Sequence, residues 1–359
     1  MCCHTPWRAM QAGEDWFNGQ VMTERRQQHS SDQRHSDCTH CWRLEDAGQL
    51  SSRQTESNTQ PRLEIKISNT CDMACRYCRP NSSSIWAERM REFGYSKKAL
   101  LAEKQTPRHQ AVTQEFITWL QKELPRFTQG RGLLFTGGEP FLDDRFYSLL
   151  ESLDIRDTKI HINTNLNTPQ HLWSRQTDLI THLINHNNRV YLRCSIDGVG
   201  AQQEWQRQGS NWDRLQANWY RLGQLPLQMF ASLTVTPLTL ESMCSAGEFV
   251  KQSHDKLCRK PMWLKSAMVT WPRHWDASSW FPLFHQEITH MLQLVNYDSD
   301  VAGAWNPTEQ MTSWMAVKGS GPSKSETQLL AQHLDEAEQK YGGGSWRMLY
   351  PKVAEIVAS

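Results

Sequence analysis

Short segments of alternating hydrophobic and polar residues recur along the chain from Arg62 onward. In the first segment, Leu63, Ile65 and Ile67 fall on one face and polar residues fall on the other, because successive side chains of a strand point to opposite faces. Segments 159–165 and 189–198 repeat this pattern. Further strands are predicted at 132–136, 227–235 and 262–270, which gives about six strands in total.

The residues between these strands carry helical stripes. Hydrophobic residues recur three or four positions apart at 112–120, 146–153 and 172–184. Helix-length spacers favour parallel crossover connections, although an antiparallel sheet with one solvated face remains an alternative. A parallel sheet with one polar face predicts an α/β fold in which a partial barrel surrounds a polar lumen. We divide the chain into an irregular N-terminal segment (1–60), this core (61–275) and a helical C-terminal extension (276–359).

Charge and hydropathy exclude several classes of function. The 359 residues include 39 basic and 38 acidic side chains, for a net charge of +1, so no overall field attracts nucleic acid or anionic lipid. No apolar run approaches the ~20 residues of a membrane helix, and the N-terminus lacks the basic and apolar regions of a secretory leader. We therefore expect a cytoplasmic protein with neither a membrane nor a nucleic-acid partner.

Three of the ten cysteines form the most specific motif. Cys71, Cys75 and Cys78 follow the first predicted strand, and thiols in a reducing compartment remain free for metal binding. A loop can place three thiolates on a cubane iron–sulfur cluster and leave one iron open to substrate. Two alternatives are a helix face with three buried thiols and a zinc site completed by a distant residue.

Polar residues follow three of the other predicted strands. Gly137-Gly138-Glu139-Pro140 ends the second strand, Asn165 the third, and Ser195 and Asp197 the fourth, at the carboxyl ends where barrel enzymes place their chemistry. The two glycines allow close approach of the backbone to a ligand, and Glu139 can accept hydrogen bonds from an ammonium group. We interpret Asp197 as a turn former, and we expect Lys66 and His161 to face the lumen.

Cys71-x3-Cys75-x2-Cys78 after a first strand resembles the signature of the radical S-adenosylmethionine (radical SAM) enzymes. This resemblance implies a partial (β/α)6 TIM-like barrel, a [4Fe–4S] cluster on the three cysteines and S-adenosylmethionine on the fourth iron. Reductive cleavage would then give methionine and a 5′-deoxyadenosyl radical that abstracts hydrogen from a substrate. It also implies an external electron donor of the flavodoxin or ferredoxin type.

The same resemblance assigns roles around the cosubstrate. Gly137, Gly138, Glu139 and Pro140 are similar to the motif that binds its methionyl amino group. Asn165 and Ser195 would contact its carboxylate or ribose. Arg207 is like an arginine that pairs with the methionyl carboxylate in relatives, and a solvated arginine is the alternative.

The N-terminal cysteines resemble those of radical SAM proteins with a twitch or SPASM-like region. Cys3, Cys38 and Cys41 would then hold an auxiliary iron–sulfur cluster, but residues 8–37 lack the cysteine pair of those relatives. A zinc site or a degenerate region are the alternatives. By analogy the substrate is a peptide or protein, with a small metabolite as the second interpretation. A zinc-stabilised interaction or nucleic-acid-binding module and an electron-transferring iron–sulfur protein are the competing functions.

The remaining cysteines and several late tryptophans are interpreted as packing residues. Cys194 lies on the helix-facing side of its strand, and Cys244 and Cys258 have no partner at a metal-ligand spacing. Free cysteine packs as a small hydrophobic side chain. We also interpret four late tryptophans as packing residues, although they could form the floor of a substrate pocket. They are Trp263, Trp271, Trp275 and Trp280.

Overall fold

A computed structural model describes residues 62–92, 114–257, 264–294 and 321–359, apart from 81, 129, 131 and 270–272, and short stretches between 19 and 46 and between 311 and 316. The chain divides into two compact units, residues 1–61 with 302–305 and residues 62–301 with 306–359. In the first unit, helix α1 (Thr39–Asp46) carries an exposed ion pair between Arg34 and Asp46. The remaining elements below belong to the second unit.

The alternating segments form the strands of one parallel sheet. These strands are β1 (Arg62–Lys66), β3 (Gly132–Thr136), β4 (Lys159–Thr164), β5 (Arg189–Ser195), β7 (Gln228–Val235) and β8 (Leu264–Met268). They pair in that order, and every pair is parallel. In the part of the chain described, β1 and β8 do not pair with each other, so the barrel is open. The predicted partial (β/α)6 architecture is confirmed.

Helices connect the strands and form the C-terminal end. They are α2 (Ser84–Glu92), α3 (Gln114–Thr128), α4 (Asp144–Ser152), α5 (Trp173–Asn185), α6 (Ala201–Gln206), α7 (Trp212–Leu222), α8 (Pro237–Leu257), α9 (His285–Leu294), α10 (Lys324–Tyr341), α11 (Trp346–Leu349) and α12 (Pro351–Ala358). Local sequence explains their starts: Asn211 caps α7, and Ser323 and Glu326 form a capping box at α10. No helix in the described ranges combines the length and hydrophobicity of a membrane-spanning segment.

The two faces of β1 differ as the alternation predicts. Leu63 and Ile65 are buried, whereas Glu64 and Lys66 are exposed. The register aligns Glu64 with Leu134 and Leu134 with His161, so His161 shares the face of Glu64. The His161 ring stacks on that of Tyr191, its neighbour on β5, at a centroid distance of 4.5 Å. This face therefore combines polar and aromatic side chains.

A second sheet of two very short strands lies beside the cysteine motif. Strands β2 (Ala74–Cys75) and β6 (Arg207–Gln208) pair antiparallel. Arg76, directly after β2, donates hydrogen bonds to the carbonyl oxygens of Trp205, Ala337 and Gly342, at 3.1, 3.3 and 3.3 Å. The last two carbonyls lie at the end of α10, where a cation is stabilised by the helix dipole. Arg76 thus attaches the C-terminal helices to the cysteine segment.

The cysteines and tryptophans predicted as packing residues are partly described. Cys194 is fully buried on β5, and Trp275 and Trp280 are each 1% exposed. Cys244 is half-buried, and its thiol donates to the carbonyl oxygen of Glu287 at 3.3 Å. Cys258, Trp263 and Trp271 lie outside the described residues. The packing interpretation fits the three buried side chains.

Candidate active site

The cysteine motif lies in a loop between β1 and α2. Cys71 is in an irregular segment, Cys75 ends β2, and Cys78 follows a turn. All three thiols are free, with Cys75 buried and the other two half-buried. The alternative in which the motif lies on one helix face is therefore wrong. Ligands on an irregular loop can surround a bound group, whereas side chains along one helix face cannot.

The first turn of α2 holds this loop in place. The Ser83 hydroxyl donates to the carbonyl oxygen of Met73 at 2.6 Å and caps the helix by accepting from the Trp86 backbone amide at 3.1 Å. The Trp86 indole donates to the carbonyl oxygen of Cys75 at 2.5 Å. The Met73 side chain, between Cys71 and Cys75, is fully buried.

The three thiols influence one another electrostatically. Burial raises the pKa of each thiol, that of Cys78 to about 12, and the nearby Cys75 thiolate raises the pKa of Cys71 and Cys78 further. A soft, positively charged metal group relieves this repulsion. No three His, Cys, Asp or Glu side chains of the described residues form a site for a single metal ion. A cubane cluster, by contrast, takes its thiolates on separate iron atoms.

The Gly137-Gly138 turn after β3 packs against the backbone that leads into the cysteine loop. The amide of Gly138 donates to the carbonyl oxygen of Ser68 at 2.9 Å, and that of Glu139 donates to Thr70 at 2.7 Å. A Cβ on Gly138 would overlap the carbonyl oxygen of Thr70. Gly137 has φ +126°, which disfavours any side chain. The glycines allow two chain segments to touch here, and the predicted close approach to a ligand stays a prediction.

Glu139 lies beneath this turn and is 1% exposed. Its carboxylate accepts from the backbone amides of Phe141 and Asn165, at 3.2 and 2.6 Å, and from the Thr164 hydroxyl at 3.0 Å. Pro140 begins the short 3₁₀ helix Pro140–Leu142, which Glu139 caps. Burial nevertheless raises the pKa of Glu139 from its ordinary value of 4.5 to about 8.

This raised pKa predicts a pH dependence of stability. Between pH 4.5 and about 8 the unfolded chain has lost the Glu139 proton while the folded chain retains it, so stability falls as pH rises. We expect Glu139→Gln to remove a slope of about 1.4 kcal/mol per pH unit. The free energy of urea unfolding, measured across this window, checks the prediction. Glu115→Gln, at an exposed position, should keep the wild-type slope, and an unchanged slope in Glu139→Gln would contradict the argument.

Asp72, inside the cysteine motif, connects the loop to the end of β4. Its two carboxylate oxygens accept from the side-chain amides of Asn165 and Asn167, both at 2.7 Å. Asn167 also donates to the carbonyl oxygen of Gly209, after β6, at 3.1 Å. The sequence analysis predicted Asn165 at the site but missed Asp72 and Asn167. An acidic residue between the cysteines and the Asn-x-Asn spacing after β4 were the available signals.

Arg207 lies against the cysteine loop rather than in solvent. It is 7% exposed, and its Nε donates to Asp197 at 2.6 Å, its Nη2 to the Thr234 hydroxyl at 3.2 Å and its Nη1 to Cys75 Sγ at 3.7 Å. Asp197 is fully buried, so it is an ion-pair partner as well as the residue before a glycine. Ser195 ends β5 in register with Ser232 of β7.

The described contacts connect most of the predicted site. The cysteine loop, the Gly137–Glu139 turn, Asn165 and Arg207 meet at the carboxyl ends of the strands through the hydrogen bonds above. The N-terminal ligands proposed for a second cluster cannot be placed in the same way. Cys3 and Cys38 lie outside the described residues, and Cys41 is on α1, but its side chain is not described.

The sequence model of the Radical SAM superfamily matches residues 65–215, from β1 into α7. This chain contains a radical SAM domain. The superfamily implies a [4Fe–4S] cluster and S-adenosylmethionine, and the matched range contains all three clustered cysteines and the Gly137–Pro140 turn. The segments before and after this radical SAM domain lie outside the match. No curated protein matches the chain.

Several solved structures resemble the fold at 14% sequence identity. They include histidine-tagged anSMEcpe with bound AdoMet (TM-score 0.40, covering 65% of this chain and 56% of that chain) and native anSMEcpe with AdoMet and the Cp18Cys peptide (0.38, 65% and 57%). Streptococcus suis SuiB bound to S-adenosylmethionine has a TM-score of 0.41 and coverages of 71% and 48%. This chain thus spans little more than half the length of the first of these.

Proposed function

We propose that this protein is a radical SAM enzyme whose [4Fe–4S] cluster is held by Cys71, Cys75 and Cys78. The observation that supports it most directly is the set of three free thiols on an irregular loop at the carboxyl end of β1. When bound and reduced, the cluster supplies the electron that cleaves S-adenosylmethionine to methionine and a 5′-deoxyadenosyl radical. Three soft thiolate donors fit such a cluster and leave one iron for the cosubstrate.

The protein's own contribution is to hold the ligand loop. Asp72 directs its carboxyl group to Asn165 and Asn167, which ties the ligand loop to the end of β4. The Gly138 contact with Ser68 fixes the loop to the sheet. We assign the cosubstrate to the adjacent Gly137–Pro140 turn and to Ser195, at the same ends of the strands. Asn165 supports that surface through its hydrogen bonds.

The substrate, the second cluster and the electron source are proposed on analogy. Relatives with auxiliary cysteine regions often act on peptides, so we propose a peptide or protein substrate. The resemblance to twitch or SPASM-like proteins supports an auxiliary cluster on Cys3, Cys38 and Cys41. An external flavodoxin- or ferredoxin-type protein would supply the electron. A mass measurement of deuterium transferred from labelled candidate substrates into 5′-deoxyadenosine tests the substrate class. Transfer from a small metabolite alone would contradict the peptide assignment.

Replacing Cys75 with alanine should abolish cosubstrate cleavage. With two ligands left, we expect anaerobically reconstituted protein to lose the iron, sulfide and brown colour of this cluster. Its 5′-deoxyadenosine formation under reductant should fall by about 100-fold or more, because the group that supplies the electron is missing. Cys194→Ala, which removes a buried thiol from β5, is the matched control and should retain the cluster.

The wild-type protein distinguishes the competing functions in the same experiment. Colourless protein with stoichiometric zinc would support a zinc-stabilised module. A reducible cluster without 5′-deoxyadenosine formation would support an electron-transferring protein. Either result would contradict the proposed function.

A further inference from the structure

We propose that Arg207 is a positioning residue that raises the reduction potential of the cluster through a hydrogen bond to the Cys75 sulfur. The inference rests on the proposed function, because it requires Cys75 to be a cluster ligand. It differs from the role that the family resemblance assigns to Arg207, which is to pair with the methionyl carboxylate. Three observations support it: the pairing of β2 with β6, the buried ion pair of Arg207 with Asp197, and the contact of Arg207 with the Cys75 sulfur.

The backbone places Arg207 directly opposite Cys75. The two residues are partners in the antiparallel pair of β2 and β6, with Ala74 opposite Gln208. Residues opposed in such a pair extend their side chains on the same face of the ladder. The guanidinium therefore lies beside the thiol, with Nη1 3.7 Å from Sγ. This contact follows from the pairing of the strands.

The chain after Arg207 is shaped to stay close to the cysteine loop. Gly209 has φ +100°, and a Cβ at this position would lie 2.7 Å from the carbonyl oxygen of Asp72. Only glycine adopts this conformation at such a short separation without strain. The backbone thus keeps β6 against the loop that carries the thiols.

A buried ion pair fixes the guanidinium in this orientation. Asp197, fully buried, accepts from Arg207 Nε at 2.6 Å, and Thr234 accepts from Nη2 at 3.2 Å. The second Asp197 oxygen accepts from the Thr234 amide at 2.6 Å. The Tyr77 hydroxyl, between two of the clustered cysteines, also donates to Asp197. Each of the three guanidinium nitrogens thus has a partner in the protein, and the partner of Nη1 is the Cys75 sulfur.

A cationic donor at a ligand sulfur has a defined effect on a cluster. Reduction adds negative charge, part of which resides on the thiolate sulfurs, so an N–H donor stabilises the reduced state more than the oxidised state. Hydrogen bonds to sulfur and net charge are the factors by which proteins set cluster potentials. Asp197 offsets only part of the charge of Arg207 at the Cys75 sulfur, so the remaining positive charge and the hydrogen bond act in the same direction on the potential.

The test measures the midpoint potential of the reconstituted cluster by redox titration with electron paramagnetic resonance detection. In Arg207→Met we expect the equilibrium constant for reduction to fall about tenfold, which is 59 mV for a one-electron couple. Arg221→Met is the matched control. Arg221 donates to Thr177, Gln176 and Asn218 on α5 and α7, so its removal should leave the potential unchanged.

A second variant protects the test against misfolding. Arg207→Met leaves Asp197 as an unpaired buried charge, whereas the double variant Arg207→Met/Asp197→Asn removes the pair as a whole, which proteins tolerate better. We expect the lowered potential in the double variant as well, at an iron and sulfide content equal to that of the wild type.

The outcomes separate this inference from the proposed function. Absence of any cluster in the wild-type protein would overturn the proposed function. A full cluster with an unchanged potential in both Arg207 variants would overturn the inference alone. An unchanged potential combined with weaker S-adenosylmethionine binding would return Arg207 to the carboxylate-binding role.

Discussion

Asp197→Ala is expected to destabilise the protein by about 3–5 kcal/mol, the largest effect among these substitutions. The change leaves the buried guanidinium of Arg207, which is 7% exposed, without its anionic partner. Breaking one side of a buried ion pair has an effect of this size because the other charge stays desolvated. The Thr234 amide and the Tyr77 hydroxyl lose their acceptor at the same time. Urea unfolding at neutral pH measures the difference.

Asp154→Ala provides the matched control for this prediction. Asp154 pairs with Arg156 at 2.7 Å, but both side chains are more than 60% exposed. Exposed pairs contribute little because water and salt screen them, so we expect a change within about 0.5 kcal/mol. Similar effects for the two substitutions would contradict the view that Asp197 compensates a buried cation.

Gly138→Ala is the second large prediction, with an expected destabilisation of about 2–3 kcal/mol. The added Cβ would overlap the Thr70 carbonyl oxygen and lie 2.6 Å from its carbonyl carbon. Both obstacles are backbone atoms, so the strain is relieved only if the cysteine loop moves away from β3. We therefore also expect a lower cluster content after reconstitution, measured as iron and sulfide per chain beside the unfolding free energy.

Gly200→Ala separates this steric effect from ordinary glycine strain. Gly200 has φ +56°, and no atom lies within 4 Å of a Cβ placed there. Only the backbone conformation, with φ +56° and ψ −128°, disfavours alanine, at about 1–3 kcal/mol. The cluster content of Gly200→Ala should equal that of the wild type. If Gly138→Ala also kept the cluster content of the wild type, the close contact between the Gly138 turn and the cysteine loop would not be real.

The sheet could be predicted from sequence because its signal is local and periodic. Leu63, Ile65 and Ile67 alternate with polar residues, and the structure buries them on one face of β1 and its continuation. The helices between the strands also carry a local signal, because their buried hydrophobic residues recur at helical spacing, as Phe146 and Leu150 do on α4. The three-cysteine spacing is equally local, so its position after β1 could be predicted.

The supporting contacts of the site could not be predicted because they are distant in sequence and aperiodic. Cys75 and Arg207 are 132 positions apart and meet on strands of only two residues each. Asp72 and Asn167, 95 positions apart, form a single hydrogen bond that leaves no repeat in the sequence. The sequence analysis interpreted Asp197 as a turn former because a glycine follows it. That glycine gives no information about the buried Arg207 with which Asp197 pairs.

The attachment of α10 to Arg76 means that the cysteine segment gains its full set of contacts late in synthesis of the chain. A ribosome releases the three cysteines long before Ala337 and Gly342, whose carbonyl oxygens receive the Arg76 guanidinium. Until Ala337 and Gly342 have been synthesised, this guanidinium lacks two of its acceptors, and the segment next to Cys75 is less constrained than in the folded protein. A metal group that met the cysteine loop before that point would therefore find an incomplete scaffold.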